Sequence, residues 1–121
     1  MNTLESLNPA QRKAVEHVHG PLLVVAGAGS GKTRVLTMRI ARLIDQVGTP
    51  ASRIFAVTFT NKAAGEMKER VGRFLGRDPG GLWIGTFHSL SARLLRREAE
   101  AIGFTRNFTI YDEADRLSLI R

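Results

Sequence analysis

Eight consecutive residues, Ala26-Gly27-Ala28-Gly29-Ser30-Gly31-Lys32-Thr33, have the types and spacing to hold a polyphosphate. Gly27, Gly29 and Gly31 lack a Cβ, so the backbone there can take positive φ and come close to an anion. The N–H groups this exposes, with the start of a following helix, form a concave anion site. Lys32 adds a point charge for the β- and γ-phosphates, and the Thr33 hydroxyl is placed to bind Mg2+. The strict pattern begins with glycine; this chain keeps a small residue, Ala26, at that position.

Two further stretches combine an aromatic ring, hydroxyls and a polar or basic residue. They are Thr58-Phe59-Thr60-Asn61-Lys62 and Gly85-Thr86-Phe87-His88-Ser89. Hydroxyls and helix starts bind backbone phosphates without reading sequence. An exposed ring stacks on an unpaired base. The combination suits a single-stranded nucleic acid, although Phe59 and Phe87 taken singly read first as core residues. Gln11 is a fourth candidate. Its amide can pair with adenine N6 and N7, yet a lone helical glutamine also reads as a solvated side chain.

Alternating strands and helices must position these groups. Asn8 is a good N-cap and Pro9 a good first residue for a helix with Ala14, Val15 and Val18 on its apolar stripe. Gly20-Pro21 turns the chain into an apolar run, Leu22-Leu23-Val24-Val25, expected as the strand that delivers the glycine-rich loop. Val35 to Val47 then reads as a helix, with Leu36, Ile40, Leu43, Ile44 and Val47 at helical spacing, ended by Gly48-Thr49-Pro50. Ile54 to Phe59 has the apolar composition of a strand buried on both faces. Asn61 is a plausible N-cap for a helix carrying Ala64, Met67, Val71, Phe74 and Leu75, which Gly76 and Asp78-Pro79-Gly80-Gly81 end. Leu82 to Gly85 reads as a strand, followed by a helix with Leu90, Leu94, Leu95 and Ile102 before Gly103. Phe108 to Tyr111 reads as a last strand and Asp112 as the cap of a helix through Ile120. This order predicts an α/β fold with a parallel sheet and right-handed crossovers. Ligands of such sheets bind beyond the carboxyl ends of the strands, which would gather the three loops on one rim.

The composition narrows the partners. At 121 residues the chain makes at most one small domain, short for a complete phosphate-loop enzyme. It has no cysteine, and His17, His19 and His88 are too scattered to suggest a metal cluster. The first residues do not form a signal peptide, and no apolar run reaches the ~18 residues of a membrane span. We therefore expect a soluble, cytoplasmic protein with no membrane partner. Eighteen Lys and Arg against 11 acidic residues give a net charge of +7, which favours a polyanion such as nucleic acid. The same surplus fits a segment whose acidic complement lies elsewhere.

The motifs together resemble the UvrD/Rep/PcrA type of superfamily 1 DNA helicases. Leu7 to Val15 is similar to their Q-motif, Ala26 to Thr33 to motif I, Ala56 to Ala64 with Glu66-Met67 to motif Ia, and Ile84 to Ser89 with Leu94-Leu95 to the next motif. The resemblance implies a three-layer, RecA-like P-loop NTPase fold, incomplete within residues 1–121. It implies ATP and Mg2+ as cofactors. Gln11 would contact adenine; Ala26 to Thr33 would hold the triphosphate, with Thr33 on Mg2+; Arg34 would lie near the nucleotide. Phe59, Thr60, Asn61, Lys62, Thr86, Phe87 and His88 would contact single-stranded DNA beside a duplex junction. A second RecA-like domain would close on ATP, and translocation would run 3′ to 5′.

Asp112-Glu113 invites a reading as the Mg2+-ordering and water-activating carboxylates. That chemistry needs an apolar strand aimed at the metal. Thr105 to Ile110 makes a poor one, and capping alone explains Asp112. The true pair is expected downstream, so residues 1–121 should hold nucleotide without turning it over, and the chain reads as part of a longer protein. The rivals are a small P-loop kinase or NTPase of another class and a non-enzymatic nucleic-acid module.

Overall fold

The computed structural model describes residues 6–27 and 31–107. They fall into two compact units divided between Thr86 and Phe87.

The first unit begins with α1 (Pro9–Glu16). Asn8 takes an extended backbone and its side chain accepts from the Gln11 N–H, while Pro9 sits where its missing N–H costs nothing. Next come α2 (Lys32–Arg42) and a wider, π-type turn (Leu43–Val47) that closes on Gly48 at φ 82°. A 3-10 turn (Ala51–Arg53) leads into β1 (Phe55–Thr58), then α3 (Asn61–Leu75) and β2 (Trp83–Thr86). The two strands pair in parallel, Phe55 opposite Trp83 and Thr58 opposite Thr86. A parallel sheet linked through a helix was the expectation, and at this coarse level the chain is an incomplete mixed α/β structure.

Two apolar clusters hold this unit. Ile40 and Ile44 of α2 and its last turn meet Met67 and Val71 of α3 over Ile54, Ala56 and Leu82. The cluster residues on the strands, Ala56 and Ile84, share one sheet face by register, so α2 and α3 cover the same side. Leu7, Ala14 and Val15 form the second cluster with Val35 and Met38, and Phe74 packs against it. This cluster seats α1 on α2.

Several expectations need correction. No strand forms at 22–25: Leu23 is 87% exposed and Val25 88%, and the segment is irregular. A strand needs a paired neighbour to satisfy its backbone, and among the described residues β1 and β2 pair only with each other. β1 is covered on one face; Ala56 and Thr58 are buried but Phe55 is exposed. Thr60, not Asn61, caps α3, with its hydroxyl accepting from the Ala63 N–H at 3.0 Å. On α2 and the π-type turn after it, Leu36 and Val47 are exposed, and Val35, Thr37, Met38 and Ala41 are buried instead.

The second unit contains α4 (Phe87–Arg97) and a 3-10 turn (Ala99–Ile102) ending on Gly103 at φ 85°. Leu90, Ala92 and Ala99 are buried, while Leu94, Leu95 and Ile102, expected on the apolar face, are exposed. The expected strand at Phe108 to Tyr111, the Asp112 cap and the helix through Ile120 lie outside the described residues.

Candidate nucleotide and nucleic-acid sites

The glycine-rich loop ends on Gly31, which N-caps α2 at φ 78° and ψ 23°. That left-handed conformation favours glycine. A Cβ there would also meet the Gln11 side chain, with Nε2 at 3.2 Å. Gly31 therefore satisfies two demands at once, a turn and a close approach. Lys32 and Thr33 follow in the first turn of α2, both exposed. That turn has no acidic side chain, so the positive end of the helix is not compensated from within. The donor set fits a polyphosphate: helix-start N–H groups, an ammonium and a hydroxyl. A cavity of about 630 Å3 opens beside Lys32 and Thr33, with Leu22, Val24, Val35 and Leu36 among its walls. Ala26 is half-buried and Gly27 exposed. Ala28, Gly29 and Ser30 lie outside the described residues.

α1 is fixed against this site at both ends. The Arg34 guanidinium donates to Ser6 Oγ, just before the helix. The Arg39 guanidinium donates to Ala14 O at 2.9 Å and to His17 O, at the helix's last turn. These carbonyls belong to the set that a helix terminus leaves without an intrahelical donor. A cation there also suits the negative end of the helix. Arg34, expected beside the nucleotide, is thus engaged with Ser6. Neither arginine's clamping role has a signature in the sequence, because each partner lies more than 20 positions away.

Gln11 is held by the start of its own helix. Its N–H donates to Asn8 Oδ1 at 2.8 Å, and its Oε1 accepts from the Asn8 N–H at 3.1 Å. The amide is half-buried, and its nitrogen end lies against Gly31.

The carboxyl ends of β1 and β2 lie side by side through the Thr58–Thr86 pair. Buried Thr58 knits this corner together: its hydroxyl donates to Thr60 O at 3.0 Å and lies 3.4 Å from Gly85 O. Phe59 therefore sits on a braced bend and is 90% exposed. Beside it, Thr60, Asn61 and Lys62 begin α3, all exposed. The Thr60 hydroxyl oxygen serves the cap, which leaves its proton to donate outward. Thr86 is half-buried at the end of β2. Phe87, 60% exposed, and His88, also exposed, open α4 in the second unit. Neither phenylalanine is a core residue, against the reading each invites alone. Of the three loops expected on one rim, the structure joins two strand ends; no strand delivers the glycine-rich loop.

Among the described residues no helix is long and apolar enough to cross a membrane.

The chain matches the model of the UvrD/REP helicase N-terminal domain over residues 7–121. It is 56% identical over 118 residues to the ATP-dependent DNA helicase PcrA of Bacillus subtilis (strain 168), covering 98% of this chain and 16% of that protein. It is 57% identical over 116 residues to the ATP-dependent DNA helicase Rep of Escherichia coli (strain K12), covering 95% of this chain and 17% of that protein. The PcrA helicase of Staphylococcus aureus (strain Mu50 / ATCC 700699) is 52% identical over 118 residues. The chain thus spans about one sixth of the length of the curated relatives it matches. The match sets aside a P-loop kinase of another class. Matched over residues 7–121, with a glycine-rich loop at the start of α2 and a glutamine seated against it, the chain belongs to the UvrD/REP helicase N-terminal domain family.

Proposed function

We propose that this chain is the ATP-holding and single-stranded-DNA-holding portion of an ATP-dependent 3′–5′ DNA helicase. Residues 1–121 form the first part of a three-layer, RecA-like P-loop domain, completed by further strands and by a second RecA-like domain of the longer protein. Gln11 reads adenine. Ala26 to Thr33 cradle the triphosphate, Lys32 neutralises it, and Thr33 contributes to the Mg2+ site. Arg34 acts from the edge by tying α1 down through Ser6. Phe59 and Phe87 stack on bases, while Thr60, Asn61, Lys62, Thr86 and His88 hold the DNA backbone next to a duplex junction. Bound ATP supplies the phosphoanhydride whose cleavage drives the motor. The residues of this chain bind and orient it; they do not activate the water.

One observation carries the reading: the Gln11 amide lies against Gly31, at the end of the phosphate loop. Three separate features produce that juxtaposition, namely the cap at Asn8, the shared apolar cluster and the two arginine clamps. A base-reading group and a phosphate loop are the two halves of a nucleotide site. The names of the relatives, ATP-dependent DNA helicases, support the partner assignments.

Titration of labelled oligo-dT at two salt concentrations tests the DNA half. Affinity should fall with salt, with a slope of roughly −0.7 per phosphate contacted. Salt-independent binding, or none, would refute it. A steady-state ATPase assay tests the division of labour. The 121 residues should show no DNA-stimulated turnover; turnover lost in Asp112→Asn would place the catalytic carboxylates here instead.

A further inference from the structure

The cap at the start of α1 contains an unusual opportunity for selecting the base. Gln11 occupies the third helical position, and its side-chain Oε1 accepts from the backbone N–H of Asn8 at 3.1 Å. Its own N–H donates in return to Asn8 Oδ1 at 2.8 Å. The first of these bonds sets the polarity of the amide: Oε1 faces Asn8 and Nε2 faces Gly31. A glutamine with a loose terminal torsion can present either end; this one is held at its far atom.

We propose that the Asn8 backbone N–H is a positioning group that makes Gln11 select adenine over guanine. The inference rests on the reading above that Gln11 meets the base. Adenine shows an acceptor, N7, beside a donor, the N6 amino group. Guanine shows two acceptors, N7 and O6. An amide with fixed nitrogen and oxygen ends matches the first pattern, with Nε2 donating to N7 and the second lone pair of Oε1 accepting from N6. The same fixed amide sets oxygen against oxygen at guanine O6. A released amide can swing Oε1 away and donate Nε2 to O6, so guanine is no longer excluded. Asn8 never touches the nucleotide in this scheme; it acts through Gln11.

Two substitutions at one position isolate the N–H. Asn8→Ala removes the side-chain cap and keeps the N–H. Asn8→Pro removes both, and the native backbone at this residue, φ −71° and ψ 167°, is one that proline adopts. Ribose-labelled ATP and GTP analogues, titrated with Mg2+ into the 121-residue chain, report both affinities. Asn8→Ala should weaken both nucleotides alike and keep their ratio. Asn8→Pro should cut the ATP-over-GTP preference about tenfold, within the range a bidentate base contact discriminates. An unchanged ratio in Asn8→Pro, or an ATP-over-GTP preference cut as far in Asn8→Ala as in Asn8→Pro, overturns the proposal. Should Asn8→Pro not fold, an ester in place of the Leu7–Asn8 amide decides. It removes the same N–H without the proline ring and keeps the Asn8 side chain, so the ATP-over-GTP preference should fall by the same factor; an unchanged preference overturns the proposal. Wild-type chain that binds neither nucleotide, or binds without needing Lys32, overturns the parent reading and this one with it. Lys32-dependent binding with an unchanged Asn8→Pro ratio overturns this one alone.

Discussion

Replacing Arg39 with methionine tests how α1 is held against the glycine-rich loop. The guanidinium of Arg39 spans from α2 to two carbonyls at the end of α1, Ala14 O and His17 O. Methionine keeps most of the apolar stem and removes every donor, so the change isolates the hydrogen bonds from packing. A hydrogen bond from a charged donor contributes about 1.5–3 kcal/mol, and water can reach a half-buried group and recover part of that. For two such bonds together we expect a loss of about 2–3 kcal/mol, out of the 5–15 kcal/mol typical of a domain. Arg39→Lys keeps the charge but not the fork, so it should lose about half as much. Urea unfolding followed by Trp83, the single tryptophan and a buried one, reads the first unit directly. The midpoint should fall with the slope unchanged. Because the clamp seats Gln11 against Gly31, nucleotide affinity should fall in the same order. An Arg39→Met protein within about 0.5 kcal/mol of wild type would refute the clamp, since that is the scale of a neutral surface substitution.

Three further outcomes follow from local geometry. Gly65 lies inside α3, and a Cβ there would meet nothing within 4 Å, so Gly65→Ala should raise stability; the gain should be about 0.5–1 kcal/mol in urea unfolding. Phe59 is 90% exposed, so Phe59→Ala should leave the unfolding midpoint in place. The same variant should weaken oligo-dT binding by about 1–3 kcal/mol in a fluorescence titration, the worth of one stacked base. Thr60→Val removes the cap of α3 and should cost about 1 kcal/mol, whereas Thr60→Ser should retain most of it.

Features set by neighbours in sequence were legible before the structure. The start of α1 is the clearest case, because Asn8, Pro9 and Gln11 interact within one turn. The end of α3 at Gly76, φ 73°, is another. The cap of α3 was harder, since the adjacent Thr60 and Asn61 both suit the role and only side-chain geometry shows that Thr60 fills it. What depends on a distant partner was not legible. Leu22 to Val25 has the composition of a strand, but pairing is a property of two segments, and none of the described residues supplies the second. Leu94 and Leu95 follow helical spacing, yet spacing does not say what covers a face. The arginine clamps had no signal at all, because Arg34 and Arg39 look like ordinary basic residues of an amphipathic helix. Phe59 misled in the opposite sense: composition favours a buried ring, and the bend braced by Thr58 turns it outward.

Nucleotide affinity with and without the loop lysine tests the central claim most directly. A ribose-labelled ATP analogue, titrated with Mg2+ into the wild-type chain and into Lys32→Ala, separates a working phosphate loop from a glycine-rich turn. Loss of one charged hydrogen-bond donor to phosphate predicts a drop of about ten- to a hundredfold in Lys32→Ala. Equal affinities for the two proteins, or no binding to the wild type, would contradict the account.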